Sequence, residues 1–190
     1  TFISDGGVQE EISQGAGRLA GHLGLNNLIM FYDSNDIQLS TETNSVTSED
    51  TAAKYKAWGW NVTTINGNDA TEIRSAIQAA LMEKKRPSLI IGKTIMGKGA
   101  VKEDGSNFER QCSTHGQPLT HAGASFKKTI ANLGGNPENP FVIFPEVEEL
   151  YRKRREYLLQ WADAKNAEED KWAAENPVLE EKLDQFLSGE

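Results

Sequence analysis

Short apolar runs alternate along the first half of the chain with segments whose apolar residues recur every three or four positions. Four apolar runs predict buried strands, at 1–3, 28–32, 60–65 and 89–91. Three periodic segments lie between them and predict helices with one buried face, at 8–23, 51–57 and 70–82. Strands that alternate with helices are typical of an α/β fold with a parallel, doubly wound sheet.

The predicted helix at 8–23 combines an apolar stripe with three glycines, Gly15, Gly17 and Gly21. Each glycine lowers helix propensity by roughly 1 kcal/mol relative to alanine. Small residues permit the close approach of another element, so we expect this helix to lie against a second subunit. The stripe that we expect to be buried consists of Val8, Ile12, Ala16, Leu19, Ala20 and Leu23.

Local signals set several boundaries. Asp50 is predicted to cap the helix at 51–57, and Asp69 with Glu72 has the spacing of a capping box for the helix at 70–82. The polar segment 36–50, rich in Ser and Thr, is predicted to be a loop over the site.

The second half of the chain is less regular at first. A polar loop is predicted from Gly97 to His115, followed by a helix at 120–133 that Thr120 would cap. The Gly- and Pro-rich segment 134–140 marks a domain edge, so we predict one domain at 1–135 and a helical extension at 136–190. Two charged helices are predicted within the extension, at 146–174 and 178–187.

Composition narrows the possible partners. The 190 residues are 37% hydrophobic and 25% charged, as in a globular protein, and the net charge of −8 disfavours a nucleic-acid partner. No apolar run approaches the roughly 18 residues of a membrane helix. Cys112 is the one cysteine, which excludes an internal disulfide and favours a reducing compartment, the cytoplasm. Thr1 opens the chain inside a predicted strand, so we expect the sequence to be a piece of a longer protein.

Polar residues follow the first two predicted strands directly. Asp5 and the Gly6-Gly7 pair come after the first strand, and Asn35 lies thirty positions after Asp5, behind the second. Ligands bind at the carboxyl ends of strands in open α/β sheets, and Mg²⁺ prefers oxygen ligands that it shares with phosphate. Since glycine tolerates positive φ, Gly6 and Gly7 are expected to let the backbone approach an anion. These residues predict a site for a metal ion and a phosphate.

At these residues the sequence resembles the transketolases, which use thiamine diphosphate. The resemblance extends over about the first 120 residues, where short sequence motifs of the family occur in the same order as in the family. They are Asp5-Gly6, Gln9-Glu10-Glu11-Ile12-Ser13, Leu19-Ala20-Gly21-His22-Leu23, Phe31-Tyr32-Asp33, Asn35, Lys54-Tyr55, Trp58-Gly59-Trp60, Lys93-Thr94-Ile95-Met96-Gly97 and His115-Gly116-Gln117-Pro118. Three positions depart from the family pattern: Ser4 replaces a Gly, Ser34 an Asp and Gln117 an Ala.

The resemblance implies the thiamine diphosphate-binding fold and a set of ligands. Asp5, Asn35 and the carbonyl of Ile37 would hold Mg²⁺, which Ca²⁺ or Mn²⁺ can replace. Gly6, Met96 and His115 would contact thiamine diphosphate, and Asp5 and Asn35 would bind it through the metal.

The resemblance also implies an activity. His115 would contact the substrate, and Glu10 would join a carboxylate network at a homodimer interface. The full-length enzyme would move a two-carbon unit between sugar phosphates in the pentose phosphate pathway. The glutamate that activates the cofactor lies in a domain outside this sequence, so we expect the 190 residues alone to be inactive.

Other interpretations stay open on the residues themselves. Asp5 can simply cap a helix, Asn35 can form an Asx-turn, and Glu10 can be a solvated helix carboxylate. Met96 can be core, His22 is expected to be structural, and His121 receives no role.

The alternative functions also differ in class. The cluster Asp33, Ser34 and Asp36 resembles the metal sites of phosphotransferases, and Cys112 with His115 suggests a thiol nucleophile. A phosphate-binding module without activity is a further alternative. Within the thiamine enzymes the alternatives are dihydroxyacetone synthase and 1-deoxyxylulose-phosphate synthase. The sequence motifs at 32–33 and 58–60 favour transketolase over 1-deoxyxylulose-phosphate synthase.

Overall fold

The computed structural model describes residues 1–189. They form two compact units, Thr1–Pro140 and a second that begins at Phe141. The strands are β1 (Phe2–Ser4), β2 (Ile29–Ser34), β3 (Ile37–Gln38), β4 (Thr41–Glu42), β5 (Asn61–Asn66) and β6 (Ser88–Lys93). The helices are α1 (Asp5–Gln9), α2 (Glu11–Leu23), α3 (Thr51–Ala57), α4 (Ala70–Met82), α5 (Leu119–Ala122), α6 (Phe126–Asn132), α7 (Pro145–Glu175) and α8 (Pro177–Ser188).

The first unit is built on a four-stranded parallel sheet in the order β1-β2-β6-β5, which confirms the predicted α/β fold class. In register, Ser4 of β1 lies beside Asp33 of β2, and Asp33 lies beside Gly92 of β6. Since all the strands run the same way, their carboxyl ends share one edge of the sheet. The segments that follow β1, β2 and β6 therefore meet there.

Helices cover both faces of the sheet. On one face, a core that includes Tyr32, Leu89 and Ile91 packs with residues of α1, α2 and α3. On the other, Ile90 packs with Ala76 and Ala80 of α4. Alternate residues of a strand point to opposite faces, which is why neighbours such as Ile90 and Ile91 belong to different cores.

The predicted helix at 8–23 is wrong in two respects. It is two helices, because Glu10 has an extended backbone (φ −61°, ψ 133°) between α1 and α2. Its predicted buried stripe is also largely solvent-exposed, with Ile12 at 82% and Leu19 and Leu23 above half.

The face of α2 that packs in this chain is the glycine face. A Cβ on Gly21 would lie 1.8 Å from the carbonyl oxygen of Trp58, and one on Gly17 would lie 3.3 Å from the Tyr55 and Trp58 rings. Gly17 and Gly21 therefore serve close packing within the chain, which corrects the expectation that they face a second subunit. Nothing lies within 4 Å of a Cβ on Gly15.

Two of the predicted caps are present. Asp50 accepts from the amide of Ala53, and Asp69 accepts from the amides of Thr71 and Glu72. The capping box is incomplete, because the Glu72 carboxylate accepts from the amide of Asn66 and not from that of Asp69.

Other boundaries differ more. The segment 36–50 contains the β3–β4 hairpin and a short 3-10 turn, Thr43–Ser45, instead of a plain loop. The helix predicted at 120–133 is divided at Gly123, whose φ of 106° ends α5, and Ser125, not Thr120, caps α6. Glycine adopts such a φ without the steric cost that other residues meet.

The segment that precedes His115 is folded rather than structureless. Val101 and Asn107 form a β-bridge, and Phe108 is buried with Ala100 and Ala124. A 3-10 turn, Cys112–Thr114, leads directly into His115, whose amide donates to the carbonyl of Cys112 at 3.1 Å.

In the second unit, α7 and α8 match the two predicted helices, and each begins at a proline. Surface pairs such as Arg152 with Glu149 and Glu156 lie along α7. None of the helices among residues 1–189 has the length and apolarity needed to cross a membrane.

Candidate functional site

The carboxylate of Asp5 is the most enclosed charged group at the sheet edge. Asp5 is the first residue of α1, directly after β1, and is 1% exposed. Its Oδ1 accepts from the Tyr32 hydroxyl at 2.7 Å, and its Oδ2 accepts from the amides of Asn35 at 2.9 Å and Asp36 at 3.2 Å. Burial, and then the hydrogen bond to Asp5, raise the pKa of Tyr32 well above its usual value. Tyr32 therefore stays protonated and remains a donor to Asp5 at physiological pH.

Asn35 adjoins Asp5, as the sequence predicts, and is 8% exposed. Its side-chain Oδ1 accepts from the amide of Ile37 at 3.0 Å, which is an Asx-turn. An amide oxygen has two lone pairs, so this bond fixes the Asn35 side chain and leaves one lone pair for another partner. The turn and the role of a ligand are therefore compatible.

Asp36 and Arg110 are the two non-glycine residues with positive φ among residues 1–189, at 67° and 58°. Their side chains meet in an ion pair of 3.9 Å, and the Lys93 ammonium contacts Asp36 at 3.2 Å and the Ser34 hydroxyl at 2.8 Å. Strained backbone of this kind persists where surrounding contacts hold it. The strain at Asp36 accompanies the approach of its amide to Asp5.

These groups line a cleft of about 640 Å³ at the carboxyl edge of the sheet. Asp5, Tyr32 and Asn35 lie on its wall, with Lys93 and Arg110 also among its lining residues. The hairpin β3–β4 contributes Ile37 and Glu42.

The residues present fit a hard divalent cation. The Asp5 carboxylate forms no ion pair with a lysine, arginine or histidine within the described part of the chain. A buried carboxylate without a compensating charge is costly, and a bound cation removes that cost. The carboxylate of Asp5 and the side-chain amide oxygen of Asn35 are oxygen donors of the kind that suits Mg²⁺ or Ca²⁺.

His115 lies on a second cleft, with Leu39, Ser40 and Cys112. The Nδ1 of its ring is buried and has no hydrogen-bond partner among residues 1–189. A buried ring nitrogen without a partner is rare in folded proteins and calls for a ligand or a group from elsewhere. The β3–β4 hairpin supplies residues to both clefts, Ile37 to the first and Leu39 to the second.

The structure does not bring the remaining predicted residues into these clefts. Glu10 is exposed at the break between α1 and α2, so the expected position on the first turns of one long helix is wrong. Met96 follows β6, and its carbonyl accepts from the amide of Arg110 at 2.8 Å.

The glycines after Asp5 also differ from expectation. Gly6 and Gly7 lie within α1 and have no positive φ, which corrects the predicted turn. A Cβ on Gly6 would meet nothing within 4 Å, so the space beside its backbone is open. Ser4, which replaces the family's glycine, accepts from the amide of Gly7 at 3.4 Å and caps α1.

No role was predicted for Tyr32, Lys93 or Arg110 from the sequence. The signal for Tyr32 is the alternation of side chains along β2. This alternation places Tyr32 and Ser34 on one face of the sheet and Phe31 and Asp33 on the other. No local pattern marks Arg110, which lies far along the chain from Asp36.

The alternative sites lose support from the same geometry. Asp33 bonds to the Thr94 hydroxyl and lines a different pocket from Asp36, so these two carboxylates do not form one cluster. Among residues 1–189 no group of three or more His, Cys, Asp and Glu residues is placed to hold a metal. His115 Nδ1 has no bond to Cys112, which disfavours a Cys-His nucleophile.

Comparison with known protein families shows which family the chain belongs to. The family described as "Transketolase, thiamine diphosphate binding domain" matches residues 1–190, the whole chain. The chain belongs to the transketolase family. This confirms the resemblance drawn from the sequence motifs between Asp5 and Pro118.

Individual transketolases are similar to this chain in sequence and in fold. The transketolase of Staphylococcus aureus (strain MW2) is 36% identical over 194 aligned residues, which cover 99% of this chain and 28% of the relative. A transketolase structure from Leishmania mexicana matches all of this chain and 27% of its own with a TM-score of 0.85 at 26% identity. A transketolase from Pichia stipitis, in complex with sedoheptulose 7-phosphate, matches with a TM-score of 0.79 at 30% identity over 100% of this chain and 27% of its own. The chain therefore spans little more than a quarter of the length of these transketolases.

Proposed function

We propose that the full-length protein is a transketolase that moves a two-carbon ketol unit from a ketose phosphate to an aldose phosphate, with thiamine diphosphate and Mg²⁺. The observation that carries the proposal is the buried Asp5 carboxylate, which adjoins Asn35 and has no cation partner among the described residues. It lies in a chain that a thiamine diphosphate-binding family matches from end to end. We place the reaction in the pentose phosphate pathway and the protein in the cytoplasm.

The metal in this proposal is held by three oxygens of the first unit. Asp5 provides a carboxylate oxygen, Asn35 its side-chain amide oxygen and Ile37 its backbone carbonyl. The Asx-turn from Asn35 to the amide of Ile37 fixes the relative position of two of these groups before any ion arrives. Ca²⁺ or Mn²⁺ can take the place of Mg²⁺, because each accepts oxygen ligands.

The remaining residues act on the cofactor and the substrate. Thiamine diphosphate, when bound, supplies the electron sink for cleavage of a carbon–carbon bond. Gly6 admits the diphosphate to its backbone, Met96 contacts the cofactor, and His115 donates a hydrogen bond to the substrate oxygen on which charge develops. Glu10 belongs to a carboxylate network that a second subunit completes. The residues that bind the sugar phosphate lie largely in other domains, so the 190-residue chain alone is expected to be inactive.

The domain limits in this proposal are 1–135 for the cofactor-binding part and 136–190 for the extension towards a pyrimidine-binding domain. The compact units of the structure divide five residues later, after Pro140.

Thiamine diphosphate with Mg²⁺ is expected to raise the melting temperature of the full-length protein by several degrees, whereas ATP with Mg²⁺ leaves it unchanged. A ligand that binds only the folded state stabilises it in proportion to the logarithm of its concentration over its Kd. Thermal-shift titrations with thiamine diphosphate and with ATP, each with and without Mg²⁺, measure the two changes in melting temperature. Stabilisation by ATP alone would favour a nucleotide-binding module and contradict the proposal.

We further propose that the full-length protein is a homodimer with α2 in the interface. The glycine face of α2 packs on Trp58 in this chain, so the face available for a second subunit is the exposed stripe with Ile12, Leu19 and Leu23. Glu10, also exposed, lies at the start of that helix.

Light scattering of the full-length protein is expected to give twice the mass of one chain. A monomer that keeps full activity would contradict an active site built from two chains.

A further inference from the structure

Tyr32 is the only side chain that donates to Oδ1 of Asp5 among residues 1–189. Its ring belongs to the core between the sheet and α1, and 5% of the residue is exposed. The register of β1 and β2 places Tyr32 beside Ile3, two residues before Asp5. The hydroxyl thus reaches the carboxylate at 2.7 Å from a rigid strand in the middle of a packed core.

A second buried tyrosine shows that burial alone does not require such a bond. Tyr55 belongs to the same core and is 0% exposed, but its hydroxyl has no hydrogen-bond partner among the described residues. The two tyrosines therefore share an environment and differ in what their hydroxyls contact. This pair separates the effect of the hydrogen bond from the effect of a buried ring.

The hydrogen bond from Tyr32 settles the orientation of the Asp5 carboxylate. Two backbone amides, those of Asn35 and Asp36, hold Oδ2, which leaves the plane of the group free to turn about that oxygen. The terminal torsion angle of an aspartate side chain has only a broad rotamer preference, so it does not fix this plane by itself. A third donor at Oδ1 fixes the plane, and with it the direction of the lone pairs that remain for a metal.

We propose that Tyr32 is a positioning residue that acts through Asp5 to favour Mg²⁺ over Ca²⁺. The inference rests on the proposed function, since it concerns the metal assigned to Asp5 and Asn35. Mg²⁺ requires near-ideal octahedral geometry at short distances, whereas Ca²⁺ accepts longer bonds and irregular arrangements. A carboxylate of fixed orientation therefore matters more for Mg²⁺ than for Ca²⁺. Groups that orient a metal ligand commonly change metal affinity roughly 10- to 100-fold.

The test compares Tyr32→Phe with Tyr55→Phe in the full-length protein. Calorimetric titrations with MgCl₂ and with CaCl₂, each at saturating thiamine diphosphate, give the two metal affinities. For Tyr32→Phe we expect the Mg²⁺ affinity to fall about tenfold or more and the Ca²⁺ affinity to fall clearly less, because Ca²⁺ tolerates a reoriented ligand better. For Tyr55→Phe both affinities are expected to equal those of the wild type. Melting curves without metal report any change in folding.

Each outcome decides a separate question. A wild-type protein that binds neither metal with thiamine diphosphate would defeat the proposed function itself. Wild-type binding that Asp5→Asn abolishes and Tyr32→Phe leaves unchanged would overturn only the role of Tyr32. Equal losses for Mg²⁺ and Ca²⁺, or a Tyr32→Phe protein that does not fold while Tyr55→Phe does, would show a structural role and also overturn it.

Discussion

Replacing Asp5 by alanine in the full-length protein is expected to abolish Mg²⁺-dependent retention of thiamine diphosphate. The change removes the single negative charge among the proposed ligands, and a divalent ion depends more on a charged oxygen than on a neutral one. Asn35→Ala is expected to act in the same direction with a smaller loss, because it removes a neutral oxygen. Equilibrium dialysis of thiamine diphosphate at increasing Mg²⁺ concentrations measures both variants.

The Asp5 variants need controls for folding and for charge. Alanine leaves three donors without an acceptor, the Tyr32 hydroxyl and two amides, at a cost of about 1–3 kcal/mol for each that stays buried and unsatisfied. Asp5→Asn keeps an acceptor at the position and removes the charge, so it should retain the fold and still lose the cofactor. Asp33→Ala removes an exposed carboxylate that bonds to Thr94 and should bind like the wild type. Unchanged cofactor affinity in Asp5→Ala would exclude Asp5 as the metal ligand.

Replacing His115 by alanine is expected to lower kcat/KM for ketose phosphates at least about tenfold while thiamine diphosphate and Mg²⁺ still bind. If the imidazole donates to the substrate oxygen on which charge develops, its bond forms mainly in the transition state. A positioned donor or general acid contributes roughly 10² to 10⁴ in rate. The buried Nδ1 of His115 has no hydrogen-bond partner among residues 1–189, so the change to alanine breaks no hydrogen bond of this atom within the described chain. Steady-state kinetics and cofactor titration measure the two effects separately.

His121→Ala is the matched control. His121 is exposed on α5, six positions after His115, and does not line the cleft that contains His115. Its activity is expected to stay near that of the wild type. Equal behaviour of the two variants, or a His115→Ala protein that loses only the cofactor, would show that His115 has no part in the substrate chemistry.

The elements of the first unit follow from short-range patterns. Apolar runs and helical spacing locate β2, β6 and α4 within a few residues, because burial of a strand or of a helix face leaves a periodic trace. The cap at Asp50 is equally local, since its side chain bonds to the amide of Ala53 three residues later. The position of Asn35 beside Asp5 also follows, because parallel strands bring their carboxyl ends to one edge. The role of this pair as metal ligands stays a prediction.

Several errors arise where a distant partner decides the outcome. The apolar stripe of α2 predicted burial for Ile12, yet the helix packs on the chain through Gly17 and Gly21 instead, because a Cβ on Gly21 would occupy the space of the Trp58 backbone. The helix predicted at 120–133 breaks at Gly123, where the ring of Phe108 lies 3.3 Å from the position of a Cβ. Periodicity records which residues are apolar and leaves open which face meets the rest of the molecule.

The sequence by itself determined the alternation of the four strands of the parallel sheet with helices, because this alternation depends on spacing along the chain. Its family motifs determined the family, and the resemblance to that family supplied the residues of the proposed chemistry. Only the tertiary structure decided how the Asp5 carboxylate is held, through Tyr32, Asn35 and Asp36, residues that lie 27 to 31 positions away. It also brought Arg110 to Asp36 and placed His115 on a cleft of its own. Such contacts join residues that are far apart in the chain, and they form only when the sheet and its helices have packed.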